Sequence, residues 1–127
     1  EMPHGKVIAV FGCGGDRDKT KRPVMGKIAF DNSDMAIVTS DNPRTEVPDM
    51  IIKDIVAGMG AGDYVVEPDR ERAIALAVEK ASAGDVVVIA GKGHEDYQII
   101  GKTKRHFDDR EMVLKYMNER EKVEGKI

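Results

Sequence analysis

Three short runs of this chain are apolar at every position: Val7 to Phe11, Met35 to Val38 and Val86 to Ala90. A strand with one wet face alternates polar and apolar residues, so a strand apolar on both faces must be covered on both. Between these runs lie stretches with a helical spacing of apolar residues. One runs from about Pro23 to Asn32, and another starts at Pro48 with Ile51, Ile52, Ile55, Val56 and Met59 on one face. A third, from an Asp69 cap to about Ser82, turns Ile74, Ala77, Val78 and Ala81 inward. Strands alternating with helices predict an α/β fold: a Rossmann-like three-layer sandwich with a mostly parallel sheet and helices on both faces. Tyr64 to Glu67 reads as a short further strand. Lys6 opens the first run as a strand, Thr39 and Ser40 extend the second, and Asp85 opens the last one. Tyr97 to Ile100 and Lys104 to Phe107 read as an antiparallel edge hairpin turning at Gly101-Lys102. Asp108 caps a last helix carrying Met112, Val113, Tyr116 and Met117, and the charged tail from Glu119 is expected to fray.

The 127 residues suffice for a single domain spanning 1–127 with a real core. With 41% hydrophobic and 34% charged residues and a net charge of −3, the composition argues against a nucleic-acid or membrane surface. The single Cys13 excludes an internal disulfide and fits a reducing compartment. Glu1 is not a natural start and a strand begins almost at once, so a fragment of a longer protein is expected.

In a parallel sheet, loops after the carboxyl ends of the strands emerge on one side, where open α/β sheets bind ligands. Three loops carry the chemistry. Residues 12–22 read Gly-Cys-Gly-Gly-Asp-Arg-Asp-Lys-Thr-Lys-Arg. The glycines would let backbone approach an anion closely, and Arg17, Lys19, Lys21 and Arg22 add positive charge before a helix N-terminus. The spacing matches neither the dinucleotide fingerprint nor a Walker A loop. A solvated basic loop would account for the same residues. Cys13 lacks the arginine six residues on that a phosphatase signature needs, and reads as a small buried residue. The second loop is Asp41-Asn42-Pro43-Arg44. Proline holds Asn42 extended, and Arg44 offers a planar fork suited to a carboxylate or phosphate. An ordinary Asx-Pro turn with a solvated arginine would explain the tetrapeptide alone. The third loop is Gly91-Lys92-Gly93-His94-Glu95-Asp96, in which Glu95 can accept from an ammonium. His94 has no second histidine or cysteine at ligand spacing, so no metal site is expected. Gly101-Lys102-Thr103 lacks the earlier glycine of a Walker A motif. Arginines, an asparagine and a carboxylate around one site suit a ligand with carboxylate and ammonium ends, such as an amino acid. A stand-alone module sensing a zwitterionic metabolite, or a phosphate-binding regulatory domain, remains open on these residues.

The segments Gly12 to Lys19, Asp41 to Arg44 and Gly91 to Tyr97, in that order, resemble the C-terminal domain of the Mur ligases. The Asp-Asn-Pro-Arg form resembles the members that add meso-diaminopimelate rather than lysine. The likeness runs from about Lys6 to the last helix. It implies a bacterial cytoplasmic enzyme of peptidoglycan precursor synthesis. ATP phosphorylates the D-glutamate carboxylate of UDP-MurNAc-L-Ala-D-Glu, and the amine of meso-diaminopimelate attacks the acyl phosphate. It also implies site roles. Arg44 would clamp the distal carboxylate of the diamino acid, and Glu95 with the Gly91 carbonyl would take the distal ammonium. Arg17 and Asn42 would hold the carboxylate near the reacting amine, Asp41 would order the loop, and Lys19 and Arg22 would lie toward the ATP phosphates. ATP and Mg2+ would be bound mainly by the protein's own central domain, which is absent from this sequence. The chain alone would then be inactive.

Overall fold

A computed structural model describes residues 5–15, 19–60, 64–90, 97–100 and 103–124. The elements in chain order are β1 (Val7–Phe11), α1 (Lys21–Asn32), β2 (Met35–Val38), α2 (Pro48–Val56), β3 (Tyr64–Val66), α3 (Arg70–Lys80), β4 (Val86–Ala90), β5 (Tyr97–Ile100), β6 (Thr103–His106) and α4 (Asp109–Glu124). The first four strands make an all-parallel sheet in the order β3-β2-β1-β4. The chain therefore steps outward from β1 through β2 to β3, and α3 then carries it back past them to β4. The order reverses between β1 and β4.

The two faces of the sheet have separate cores. Phe11, Ala36 and Val38 pack against Ile51, Ile52 and Ile55 of α2. Ile8, Val10 and Ile37 pack on the opposite side against Ala73, Ile74, Ala77 and Val78 of α3, together with Phe107. Neighbours in one strand point opposite ways, so a run such as Val7–Phe11 feeds both cores at once. Met112, Val113 and Tyr116 of α4 close the α3 side. The helices start where local chemistry favours them. Pro48 and Asp49 occupy the first turn of α2, and the Asp69 side chain accepts from Arg72 N at 3.2 Å to cap α3.

Four expectations are modified. The β5–β6 hairpin pairs with itself in a separate two-stranded sheet instead of extending an edge of the parallel one. Its docking to the main sheet includes a side chain, as shown below. β4 is apolar throughout yet covered on one face only: Val86 and Val88 are 43% and 46% exposed. Among the described residues no helix lies over them, and an apolar groove of about 420 Å3 opens between α1, β1 and β4. Met117 is exposed, not inward. Finally, α4 does not end near Glu119. Arg120 Nη1 donates to the carbonyls of Val78 and Ala81 at the end of α3, satisfying acceptors that a helix terminus leaves open.

The start of β4 is tied to the start of β1 through Asp85. Its Oδ1 accepts from Lys6 N and its Oδ2 from Ser82 N, each at 2.8 Å. These backbone donors, Ser82 first, hold the carboxyl below the usual carboxylate range. A depressed folded pKa stabilises the fold above the unfolded value, near pH 4, and the gain is lost as pH falls through the folded one. Asp85→Asn is therefore expected to lower the melting temperature at pH 7 by more than at pH 2. An equal deficit at both pH values, read by circular dichroism, would show that ionisation of Asp85 plays no part.

Candidate functional site

The point where strand order reverses, between the carboxyl ends of β1 and β4, is where such sheets open a crevice. The chain leaves β1 at Gly12, and β2 ends nearby at Val38 with Thr39 and Ser40 continuing upward. The loops after β1 and β2 are zipped together beyond the sheet. Thr39 N donates to Phe11 O at 2.9 Å and Gly15 N to Asn42 O at 2.7 Å. A Cβ on Gly12 would lie 2.5 Å from Thr39 O, and one on Gly15 would lie 1.8 Å from Pro43 O. The glycines thus admit the neighbouring loop. At Gly12 and Gly15 this differs from the expectation that the glycines clear space for an anion: the missing side chains are already replaced by backbone.

Arg44 sits at the rim of this double loop and is half-buried. Its φ is +54°, the only positive value at a non-glycine among the described residues. That conformation costs an L-residue about 1 kcal/mol or more, and such strain collects at ligand sites. Nη1 donates to Gly15 O at 3.0 Å and Asn42 O at 3.2 Å, which holds the guanidinium against the first loop. Among the described residues no hydrogen bond engages Nη2 or Nε. One edge of the fork is pinned, and among the described residues the other is open to a planar anion.

Asp41 and Asn42 are buried beneath the loop, at 6% and 0% exposure. Besides accepting from Gly15 and Arg44 through the Asn42 carbonyl, they are held by Gln98 of β5, whose Nε2 donates to Asp41 O at 2.9 Å. Gln98 thus links the hairpin to the loop after β2, and it too is buried. Asp41 and Asn42 therefore shape the loop from within. Arg17, Gly91 and Glu95 lie outside the described residues, as does His94.

Arg22 departs from its expected place. It is 1% exposed. Nη1 donates to Glu46 Oε1 at 3.2 Å and Asp54 Oδ2 at 2.9 Å, and Nη2 to Glu46 Oε2 at 2.8 Å and Gly14 O at 3.1 Å. With Nη1 and Nη2 committed, and Nε buried without a partner among the described residues, Arg22 braces the first loop against the second and, enclosed as it is, offers no open contact to a phosphate. The bonds to Glu46 raise the guanidinium pKa above even its ordinary value. Lys19 stays at the surface, 3.5 Å from Glu46 Oε1. Cys13 is half-buried with Sγ 3.6 Å from Met25 Sδ, and burial pushes its thiol pKa up despite nearby Arg22. It is thus a poor nucleophile at neutral pH.

A second buried arginine escaped the sequence reading. Arg70, the first residue of α3, is 0% exposed. Its Nε and Nη2 form a fork onto Asp109 at 2.8 and 2.7 Å, Nη1 donates to Ser40 O at 2.9 Å, and Nη2 also reaches Ala90 O at 3.3 Å. One local signal existed. Arg22 and Arg70 both occupy the first turn of a helix, where the helix dipole disfavours a cation. A cation there needs partners from elsewhere in the fold.

Among the described residues no group of three His, Cys, Asp or Glu side chains could hold a metal ion. No described helix is long and apolar enough to cross a membrane. The site can hold and orient a charged ligand, and among the described residues it pairs no nucleophile with a base.

A family model described as Mur ligase, glutamate ligase domain, matches residues 1–93. The UDP-N-acetylmuramoyl-L-alanyl-D-glutamate--2,6-diaminopimelate ligase of Gloeobacter violaceus is 62% identical over 117 residues, covering 91% of this chain and 24% of that protein. The protein of the same name from Lactiplantibacillus plantarum is 63% identical over 109 residues, covering 86% of this chain and 22% of its own length. A solved structure of a UDP-N-acetylmuramoyl-L-alanyl-D-glutamate--2,6-diaminopimelate ligase superposes with a TM-score of 0.87 at 46% identity, over 92% of this chain and 24% of that one. The chain spans about a quarter of the length of the relatives it matches. With the parallel sheet, the zipped loops and the Asp-Asn-Pro-Arg rim in place, these likenesses agree on one conclusion: the chain belongs to the Mur ligase family and carries its glutamate ligase domain.

Proposed function

We propose that this chain forms the diamino-acid-binding wall of an ATP-dependent amide ligase. The parent would join meso-diaminopimelate to UDP-MurNAc-L-Ala-D-Glu in the bacterial cytoplasm. The observation that carries the reading is Arg44: a strained arginine at the switch-point end of the sheet, one edge of its guanidinium pinned and the other unengaged among the described residues. That edge matches a carboxylate in a bidentate pair. Diaminopimelate has such a carboxylate at its distal end and lysine does not. Glu95 and the Gly91 carbonyl would take the distal ammonium, and Arg17 with Asn42 the carboxylate beside the reacting amine, on the strength of the motif likeness. Asp41 and Asn42 would order the loop that carries Arg44. ATP and Mg2+ would activate the D-glutamate carboxylate from the parent's other domains, with Lys19 near their side of the site. This chain's own work would be to bind the diamino acid, present its amine and exclude lysine.

Catalysis of this kind needs several groups held in one geometry, which a single wall does not provide. The isolated chain is therefore expected to melt cooperatively and to form no amide. The full-length parent, given ATP, Mg2+ and UDP-MurNAc-L-Ala-D-Glu, is expected to release ADP and extend the peptide only when the diamino diacid is present. Mass spectrometry of the product checks both halves. A parent that ignores diaminopimelate, or ligation by the chain alone, would reject the reading.

A further inference from the structure

We infer that Arg70, which touches no ligand in the proposed reading, is a positioning residue that sets where the loop carrying Arg44 stands relative to the end of β4. The inference rests on that reading and adds to it. Arg70 holds the last residue before each of two loops: Ser40 precedes Asp41, and Ala90 precedes Gly91. Those residues leave β2 and β4, which are not neighbours, since β1 lies between them. Two strand spacings, about 9.5 Å, separate such strands, so no backbone hydrogen bond can join them. A guanidinium reaching over the end of β1 can. Asp109, at the start of α4, fixes the orientation of the fork through both of its oxygens. Gln98 adds a second hold one residue on, at Asp41 O. Two consecutive carbonyls below Arg44 are thus gripped by buried side chains from α3 and β5.

Stability alone does not explain this arrangement. A buried cation is desolvated, and at a helix N-terminus it also opposes the dipole. A well-packed apolar side chain in its place is often as stable or more so. What an apolar side chain cannot do is define the distance between Ser40 O and Ala90 O. That distance fixes where the Asp41–Arg44 loop, proposed for the distal carboxylate, stands relative to the carboxyl end of β4. A displacement of about 1 Å at such a site can cost on the order of 10²-fold in turnover efficiency.

The test uses the full-length parent with Arg70→Lys and, separately, Gln98→Met. Lysine keeps the charge but cannot serve four acceptors in one plane. The expected result is a KM for diaminopimelate raised about 10- to 100-fold in Arg70→Lys and several-fold in Gln98→Met. kcat should stay within a few-fold and the KM for ATP within about twofold, while the preference for diaminopimelate over lysine falls. If Arg70→Lys does not accumulate folded, Gln98→Met reads the same KM. A diaminopimelate KM within twofold of wild type in the folded variants, or a fall in kcat that only tracks lost folded protein, overturns the inference while leaving the functional reading intact. A wild-type parent that does not use diaminopimelate overturns both.

Discussion

Arg44→Ala in the full-length parent is expected to lower kcat/KM for diaminopimelate by roughly 10⁴-fold or more, because a site built around a polar group loses that much when the pairing is broken. The KM for ATP should move little. Arg44→Lys is expected to fail almost as badly, since a point charge cannot reproduce a fork whose one edge is already engaged by Gly15 O and Asn42 O. Arg44→Gly separates function from folding. Glycine adopts the φ of +54° without strain, so the relief of about 1 kcal/mol offsets the loss of the Nη1 hydrogen bonds. That variant should melt near the wild-type temperature and still reject diaminopimelate. The assay compares kcat/KM for diaminopimelate and lysine across the three variants. Retained selectivity in Arg44→Ala would remove this residue from the site.

The second large effect concerns stability. Gly15→Ala would place a methyl 1.8 Å from Pro43 O and 2.5 Å from Pro43 C, both backbone atoms that cannot swing away. The zipped loops would have to separate, breaking the bond from Gly15 N to Asn42 O and the one from Arg44 to Gly15 O. Overpacking of this kind costs about 3 kcal/mol, which lowers the melting temperature of a domain this size by about 10 °C. In the full-length parent the same substitution should raise the KM for diaminopimelate, because Arg44 loses its seat. Differential scanning calorimetry of the isolated domain provides the first number. A melting point within 2–3 °C of wild type, an order-of-magnitude threshold, would mean that the loops adapt more cheaply than their contact implies.

How much of this was legible beforehand depends on how far apart the interacting residues lie. Runs such as Val7–Phe11 and Met35–Val38 announced buried parallel strands, because an apolar side chain on both faces has few other uses; Val86–Ala90 read the same way, yet one face of β4 is exposed. The apolar faces of α2 and α3 were equally plain, since a helix brings residues three and four apart to one side. The carboxyl-end loops followed from topology. The glycines of the first loop were visible, but their purpose was not: only the approach of Pro43 and Thr39 shows that they make room for backbone and not for an anion.

The amino-acid sequence by itself determined the class of fold, the side of the sheet on which the candidate site lies and the motif at its rim. These depend on local periodicity and on the rule that parallel strands expose their ends together. Tertiary structure alone decided which arginine is available to a ligand. Arg22, Arg44 and Arg70 are chemically alike, yet Arg22 is enclosed by Glu46 and Asp54, 24 and 32 positions away, and Arg70 by Asp109, 39 positions away. Arg44 keeps one edge of its guanidinium unengaged among the described residues. A guanidinium satisfies its donors with whatever acceptors surround it in space. Because those acceptors come from different strands and helices, their identity is written only in the packed fold.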